Sequence, residues 1–219
     1  MNGSKDAWPG LMEDALRGYL CRRCKRAYAH DMRNGLQGIQ AGFDALSRAA
    51  RPNKPTTVSL EQLTQFVQQA MKNHERGLEH VLDGMAPEIS ELAPVKMREF
   101  LVDLVRFLTT DAARNRVRVK VDMGDDIVAL VSPGRLRLIF LGLLTQAIDA
   151  LTGGGEIAIT AEDVGSQIQI DLVDARTSDD PDAFVTRAVA EVVTHSSGHI
   201  ERKQIEPGHR VRLRLPRAS

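Results

Sequence analysis

The sequence has no net charge: 29 lysines and arginines balance 29 aspartates and glutamates. It therefore lacks the basic excess with which a general nucleic-acid binder neutralises phosphates. No apolar run approaches the roughly 18 residues of a membrane span, and no signal peptide opens the chain. The expectation is a soluble, cytoplasmic protein that touches neither nucleic acid nor membrane. Internal repeats and low-complexity tracts are absent, which excludes repeat arrays. Cysteine is scarce, with only Cys21 and Cys24, spaced C-x-x-C. Two thiolates are half of what a structural zinc needs, and a redox pair would call for a βαβ pattern around them. The better reading is two reduced thiols on a helix in a cytosolic protein. No cofactor is expected.

What is present is ordinary globular material. The chain has 219 residues, 26% charged and 42% hydrophobic, enough for one large or two small domains with cores of their own. Pro9 suits the first turn of a helix. Leu11, Leu16, Leu20 and Ala27 lead into a stripe of Met32, Leu36, Ile39, Phe43 and Leu46 at helical spacing. The pattern predicts one helix from about residue 10 to about residue 50, roughly 60 Å long at 1.5 Å per residue, which needs a partner helix. The run Arg51-Pro52-Asn53-Lys54-Pro55 breaks it. Thr57 or Ser59 caps the next helix, and Ser59-Leu60-Glu61-Gln62 fits a capping box. Leu63, Phe66, Val67, Ala70, Met71, Leu78 and Val81 carry that helix to about Met85. Two such helices form a hairpin whose wide apolar faces predict a homodimer, a four-helix bundle. Arg17, Arg22, Arg23, Lys25 and Arg26 read as a solvated face or a rim for an acidic partner.

The composition shifts between Pro87 and Pro94, a linker that divides the chain into domains at 1–88 and 89–219. Residues 95–113 read as a helix and 116–122 as a half-buried strand. Residues 128–131 are a short strand, and 136–151 form an almost wholly apolar, hence buried, helix ended by Gly153-Gly154-Gly155. Residues 157–159 and 168–173 alternate as a hairpin. Residues 184–194 are helical, and 198–202 with 211–215 close the chain as a hairpin around Glu206-Pro207-Gly208. The fold class is α+β: a helical hairpin, then an α/β sandwich of one mixed sheet with helices on one face.

The stretch on which function turns is His30-Asp31-Met32-Arg33-Asn34-Gly35-Leu36. His30 falls off the apolar stripe, so its imidazole should face water. Asp31 adjoins it, and Asn34 lies one turn on along the same face. An exposed imidazole with a carboxylate and an amide beside it can accept and release a phosphoryl group. His74 and His80 on the second helix read as surface or partly packed residues. The motif His-Asp-x-Arg-Asn-x-Leu resembles the phospho-acceptor box of bacterial sensor histidine kinases. The resemblance implies phosphorylation of His30, an acidic partner in Asp31, and an amide at Asn34 that positions water for dephosphorylation. Gly35 stands where that family usually has a helix-bending proline.

The second domain resembles, along nearly its whole length, the ATP-binding domain of the histidine kinases, the Hsp90-type fold, and the two resemblances together span about residues 15 to 215. Residues 135–150 are similar to its N-box helix. Ile170-Asp-Leu-Val-Asp174 is similar to the strand before the adenine-contacting Asp, and His195-Ser-Ser-Gly-His-Ile200 with Glu206-Pro207-Gly208 to the closing hairpin. The departures are specific. Gln146 replaces the magnesium-binding Asn, Gly142 replaces the first Asn of the N-box, and Arg176 replaces the Gly two residues after Asp174. The phosphate loop and lid fall on Thr-Ser-Asp-Asp-Pro-Asp-Ala, residues 177–183, which contain no glycine. Triphosphates need bare backbone N–H groups and would meet Asp179, Asp180 and Asp182 instead. A chain that keeps the acceptor histidine without the donor site resembles the ChpT-like and sporulation-type histidine phosphotransferases. That implies phosphoryl transfer without ATP between His30 and the aspartates of response-regulator receiver domains. Asp31 would orient the ring, Arg33 or Lys25 would balance phosphoryl charge, and Mg²⁺ would come with the receiver. A receiver phosphatase using Asn34 and a non-catalytic pseudokinase scaffold are the alternatives.

Overall fold

The computed structural model describes residues 10–49, 59–85, 91–176 and 183–218. They fall into two compact units. One is Arg23–Ala86; the other joins Pro87–Ser219 to the described residues of Met1–Arg22.

The long first helix is in fact two, α1 (Leu11–Arg23) and α2 (Lys25–Ala49), which meet at Cys24. No proline or glycine stands there, so the break has no local breaker behind it. It coincides with the unit boundary: α1 buries Leu16 and Leu20 completely and packs with the α/β unit. Tyr19 sits edge-on against Phe184 at 6.0 Å. The domain expected at 1–88 thus loses its first helix to its neighbour. Burial pushes the Cys21 thiol up, against the opposing pull of Arg17 and Arg22, which keeps it protonated at neutral pH.

In the helical unit, α2 packs against α3 (Leu60–Met85). The expected capping box opens α3: Gln62 N–H donates to Ser59 Oγ at 3.1 Å, and Ser59 N–H donates to Gln62 Oε1 at 3.0 Å. Arg51-Pro52-Asn53-Lys54-Pro55 and Thr57 lie outside the described residues. On α2 the seam between the helices is not made by the apolar stripe, although Val67 and Ala70 of the α3 stripe take part in it. It is made by Gly35, Gly38 and Gly42 on α2, facing His74, Ala70 and Val67 on α3. A Cβ on Gly35 would fall 2.5 Å from His74 Nδ1 and 2.9 Å from His74 Cβ, and one on Gly42 would collide with Val67. Close approach of His74 is therefore the physical reason for glycine at 35. The other stripe residues flank this seam, and Leu36 and Phe43 on α2, with Phe66 and Met71 on α3, are each more than half exposed.

Gly42→Ala is accordingly expected to destabilise the hairpin despite alanine's better helix propensity. Overpacking costs about 1–3 kcal/mol and the propensity gain returns about 1. Gly38→Ala, whose Cβ would meet Ala70 at a milder 3.3 Å, should do less harm. Urea melts that rank the two the other way would contradict the seam.

The α/β unit holds β1 (Ala93–Lys96), α4 (Met97–Phe107), α5 (Thr109–Arg114), β2 (Val117–Asp122), β3 (Val128–Val131), α6 (Pro133–Ala150), β4 (Gly155–Val164), β5 (Gln167–Asp174), α7 (Phe184–His195), β6 (His199–Ile205) and β7 (Gly208–Pro216). Five strands form a sheet in the order β2-β4-β5-β7-β6, with β2 and β4 parallel and the rest antiparallel. Instead of one sheet there are two: β1 and β3 form a separate antiparallel ribbon, Ala93 opposite Val131. Ala93-Pro94, taken as linker, thus begins a strand, where Pro94 sits at an edge with no N–H to place. The helix expected over 95–113 is divided at Leu108 into α4 and α5. One face of the large sheet presents Ile157, Ile159, Ile170, Leu172 and Leu213, all essentially buried; the other presents charged side chains to solvent. Helix α6 is apolar nearly all round and correspondingly buried, capped by Ser132 with Pro133 in its first turn. This is a helical region followed by an α/β sandwich, the α+β class expected from the sequence.

Candidate functional site

In α2, His30 is exposed, and so are Arg33, Asn34 and, at the start of the helix, Lys25. The Asn34 amide nitrogen stands 3.1 Å from His30 Nδ1 and 3.3 Å from Nε2. This follows from the i, i+4 spacing, which stacks the two side chains on one face. Which imidazole nitrogen carries the proton is set by the hydrogen bond the other makes. An amide N–H given to Nδ1 leaves the proton on Nε2. The same amide turned over offers its oxygen to Nδ1–H and leaves the Nε2 lone pair outward. Asn34 can therefore influence which ring nitrogen carries the proton. The backbone puts Asp31 beside His30; its side chain lies outside those described. His74 is half-buried against Gly35, and the His80 side chain lies outside those described.

The four positions singled out in the α/β unit are all engaged by the protein itself. Gly142 on α6 is buried beneath α7, where a Cβ would fall 2.6 Å from Val189 and 3.5 Å from Val185. Leu16 of α1 borders the same spot, 4.0 Å from that Cβ. Gln146, one turn on, donates through Nε2 to Thr186 Oγ1 of α7 at 2.8 Å. Near the start of α6, Arg135 Nε reaches the buried Glu13 of α1 at 3.3 Å, and Arg17 reaches the other oxygen of Glu13 at 3.2 Å. Helices α7 and α1 thus cover the α6 face that carries Gly142.

Asp174 and Arg176 form a closed ion pair. Arg176 Nε lies 2.9 and 3.0 Å from the two carboxylate oxygens, Nη2 lies 2.8 Å from Oδ2, and the Arg176 backbone N–H donates to Oδ1 at 3.0 Å. The Asp174 side chain is 0% exposed and that of Arg176 5%. Gly208 passes so close that a Cβ there would collide with the Asp174 carbonyl oxygen, and its φ of +109° also favours glycine. Residues 177–182, with Asp179, Asp180 and Asp182, lie outside the described residues. Among the described residues no cluster of His, Cys, Asp and Glu could hold a metal ion, and no helix is long and apolar enough to cross a membrane. Sequence reasoning named Asp174 and Arg176 separately and missed their pairing, and it missed Thr186 and Glu13 altogether.

No protein-family model matches the chain. The sensor histidine kinase ZraS of Escherichia coli (strain K12) is 24% identical over 148 residues, 67% of this chain. The histidine kinase AdeS of Acinetobacter baumannii superposes with a TM-score of 0.54 at 12% identity, covering 87% of this chain and 98% of that one. The chain is similar in sequence to a sensor histidine kinase and shares the fold of solved histidine kinases. The isolated catalytic domain of the histidine kinase ThkA matches with a TM-score of 0.54 at 14% identity, over 57% of this chain and 95% of the domain. ThkA solved in complex with the response regulator TrrA matches at 0.52 and 13% identity, over 97% of this chain and 68% of that one. This chain spans about a third, 31%, of the length of ZraS.

Proposed function

We propose that the chain is a histidine phosphotransferase of a two-component phosphorelay. His30 takes the phosphoryl group from an aspartyl phosphate on a receiver domain and passes it to another such aspartate, without ATP. The observation that carries this reading is the buried Asp174–Arg176 pair. The carboxylate to which the resemblance assigns adenine recognition has both oxygens on an arginine, while the histidine assigned phosphoryl transfer stays exposed. With Gln146 bonded to Thr186 as well, these residues do not fit a magnesium nucleotide. Calorimetry on the wild-type chain is expected to show no MgATP binding at micromolar concentrations; a clear isotherm there would overturn the reading.

In the transfer, the unprotonated ring nitrogen of His30 attacks phosphorus in line with the acyl-phosphate bond. The N–P bond forms as the P–O bond breaks, and the electron pair leaves with the receiver's carboxylate. Asn34 and Asp31 hold the ring, and Arg33 or Lys25 balances the phosphoryl charge. The receiver brings the Mg²⁺. A receiver partner is supported by the ThkA–TrrA complex, whose kinase shares this fold.

The exposed Leu36, Phe43, Phe66 and Met71 form an apolar face that a second copy would cover as a four-helix bundle. Light scattering at micromolar concentration should therefore give a dimer mass; a monomer there would refute it. The Asn34 amide beside the ring favours a second reading, a receiver phosphatase. Incubation with a panel of phosphorylated receiver domains separates the possibilities. Stable labelling of this chain supports transfer, dephosphorylation without labelling supports the phosphatase, and binding with neither supports a pseudokinase scaffold.

A further inference from the structure

The solvent face of the large sheet carries a feature that phosphotransfer at His30 leaves unused. The antiparallel register of β6 and β7 sets Lys203 directly opposite Arg210, and Glu201 opposite Arg212. These four side chains line a cavity of about 100 Å³. Arg212 is already matched: its Nε and Nη2 hold the two carboxylate oxygens of Asp171 on β5, each at 2.8 Å. Among the described residues neither Lys203 nor Arg210 has an acidic partner. Like charges directly opposite one another destabilise a strand pair, so these two cations repel each other until an anion lies between them.

The missing anion has a definite chemistry. Against the single carboxylate of Glu201 that shares the cavity, Lys203 and Arg210 leave it net positive, with Arg212 balanced by Asp171, which calls for a compact anion. A phosphate group carries about −1.5 to −2 charge at pH 7, and its oxygens suit both a compact ammonium and the planar guanidinium fork. Glu201 at the border opposes a second phosphate, which disfavours an extended polyanion, in keeping with the zero net charge of the chain. We propose that the β6–β7 cavity binds a single phosphate ion, held by Lys203 and Arg210, with Arg212 alongside and Glu201 limiting its size. This site does not depend on the chemistry of His30.

The test is an NMR titration of the full chain with inorganic phosphate at constant ionic strength. Saturable shifts are expected, confined to amides of residues 199–214, and sodium acetate at the same concentration should not produce them. Lys203→Gln with Arg210→Gln should weaken binding at least about tenfold, as expected for losing two charge-assisted contacts. In phosphate-free buffer that variant should melt at or above the wild-type temperature, because the repulsion is gone. Glu201→Gln should tighten binding several-fold and serves independently if the double variant folds poorly. Shifts that do not saturate, that acetate reproduces, or that persist in the double variant would overturn the site, as would unchanged affinity in Glu201→Gln.

Discussion

Arg176→Ala should cost the α/β unit about 3–5 kcal/mol, the penalty for leaving one member of a buried ion pair alone. Asp174 would remain fully enclosed, having lost its contacts to Nε and Nη2 and keeping, among the described residues, the backbone N–H of residue 176. A carboxylate in that position either holds its charge at great cost or takes up a proton. Substituting both partners together, Asp174→Leu with Arg176→Met, should recover much of the loss, since an apolar pair of similar volume removes the need for compensation. Urea unfolding of the full chain, followed through the transition of the α/β unit, measures both. A loss below about 1 kcal/mol for Arg176→Ala, the range of an exposed pair, would show that the pair is not closed in solution.

The second expected result is complete loss of phosphoryl label in His30→Ala after incubation with a phosphorylated receiver, with no change in melting. Substitution of an exposed helix residue usually changes stability by less than about 0.5 kcal/mol, and His30 is exposed, so abolished labelling cannot be blamed on unfolding. Asp31→Asn should slow transfer without preventing docking, because it keeps the shape of the side chain and removes its charge. Asn34→Ala removes the amide beside the ring and should lengthen the life of the phosphohistidine if that amide positions water. Label that persists in His30→Ala, or appears on His74 or His80, would sink the assignment.

The α/β unit was largely legible because its signals are local. Alternation announced β2, β4 and β5, the turn at Glu206-Pro207-Gly208 announced the β6–β7 hairpin, and the apolar run of α6 announced its burial; in the helical unit, Ser59 and Gln62 announced the start of α3. What escaped depends on which surfaces meet. The seam between α2 and α3 was not anticipated, although Gly35, Gly38 and Gly42 recur at helical spacing. A glycine advertises nothing to a hydrophobicity pattern, and its packing role appears only when a neighbour such as His74 or Val67 approaches the bare Cα. The break at Cys24 has no breaker residue. The β1–β3 ribbon likewise arises from pairing between segments far apart in sequence. At the candidate site, His30 and Asn34 were legible through their four-residue spacing. Asp174 and Arg176 are two residues apart on a strand end, a spacing that predicts the same side of the sheet but not a closed pair.

The Asp174–Arg176 pair also bears on how reversible its history can be. In a nucleotide-binding relative of this fold the position of Arg176 is expected to be glycine. A lineage that has acquired the arginine and closed the pair cannot step back by one substitution: Arg176→Gly restores the small residue but strands the enclosed carboxylate. The intermediate is less stable than either end, deep enough in the marginal range of a single domain to deplete the folded protein. Gly142 adds a second lock, since an asparagine there would have to displace Val189. If the proposed loss of nucleotide binding is the chain's history, the pair would work as a ratchet, and drift alone would carry such a chain further from nucleotide binding rather than back toward it.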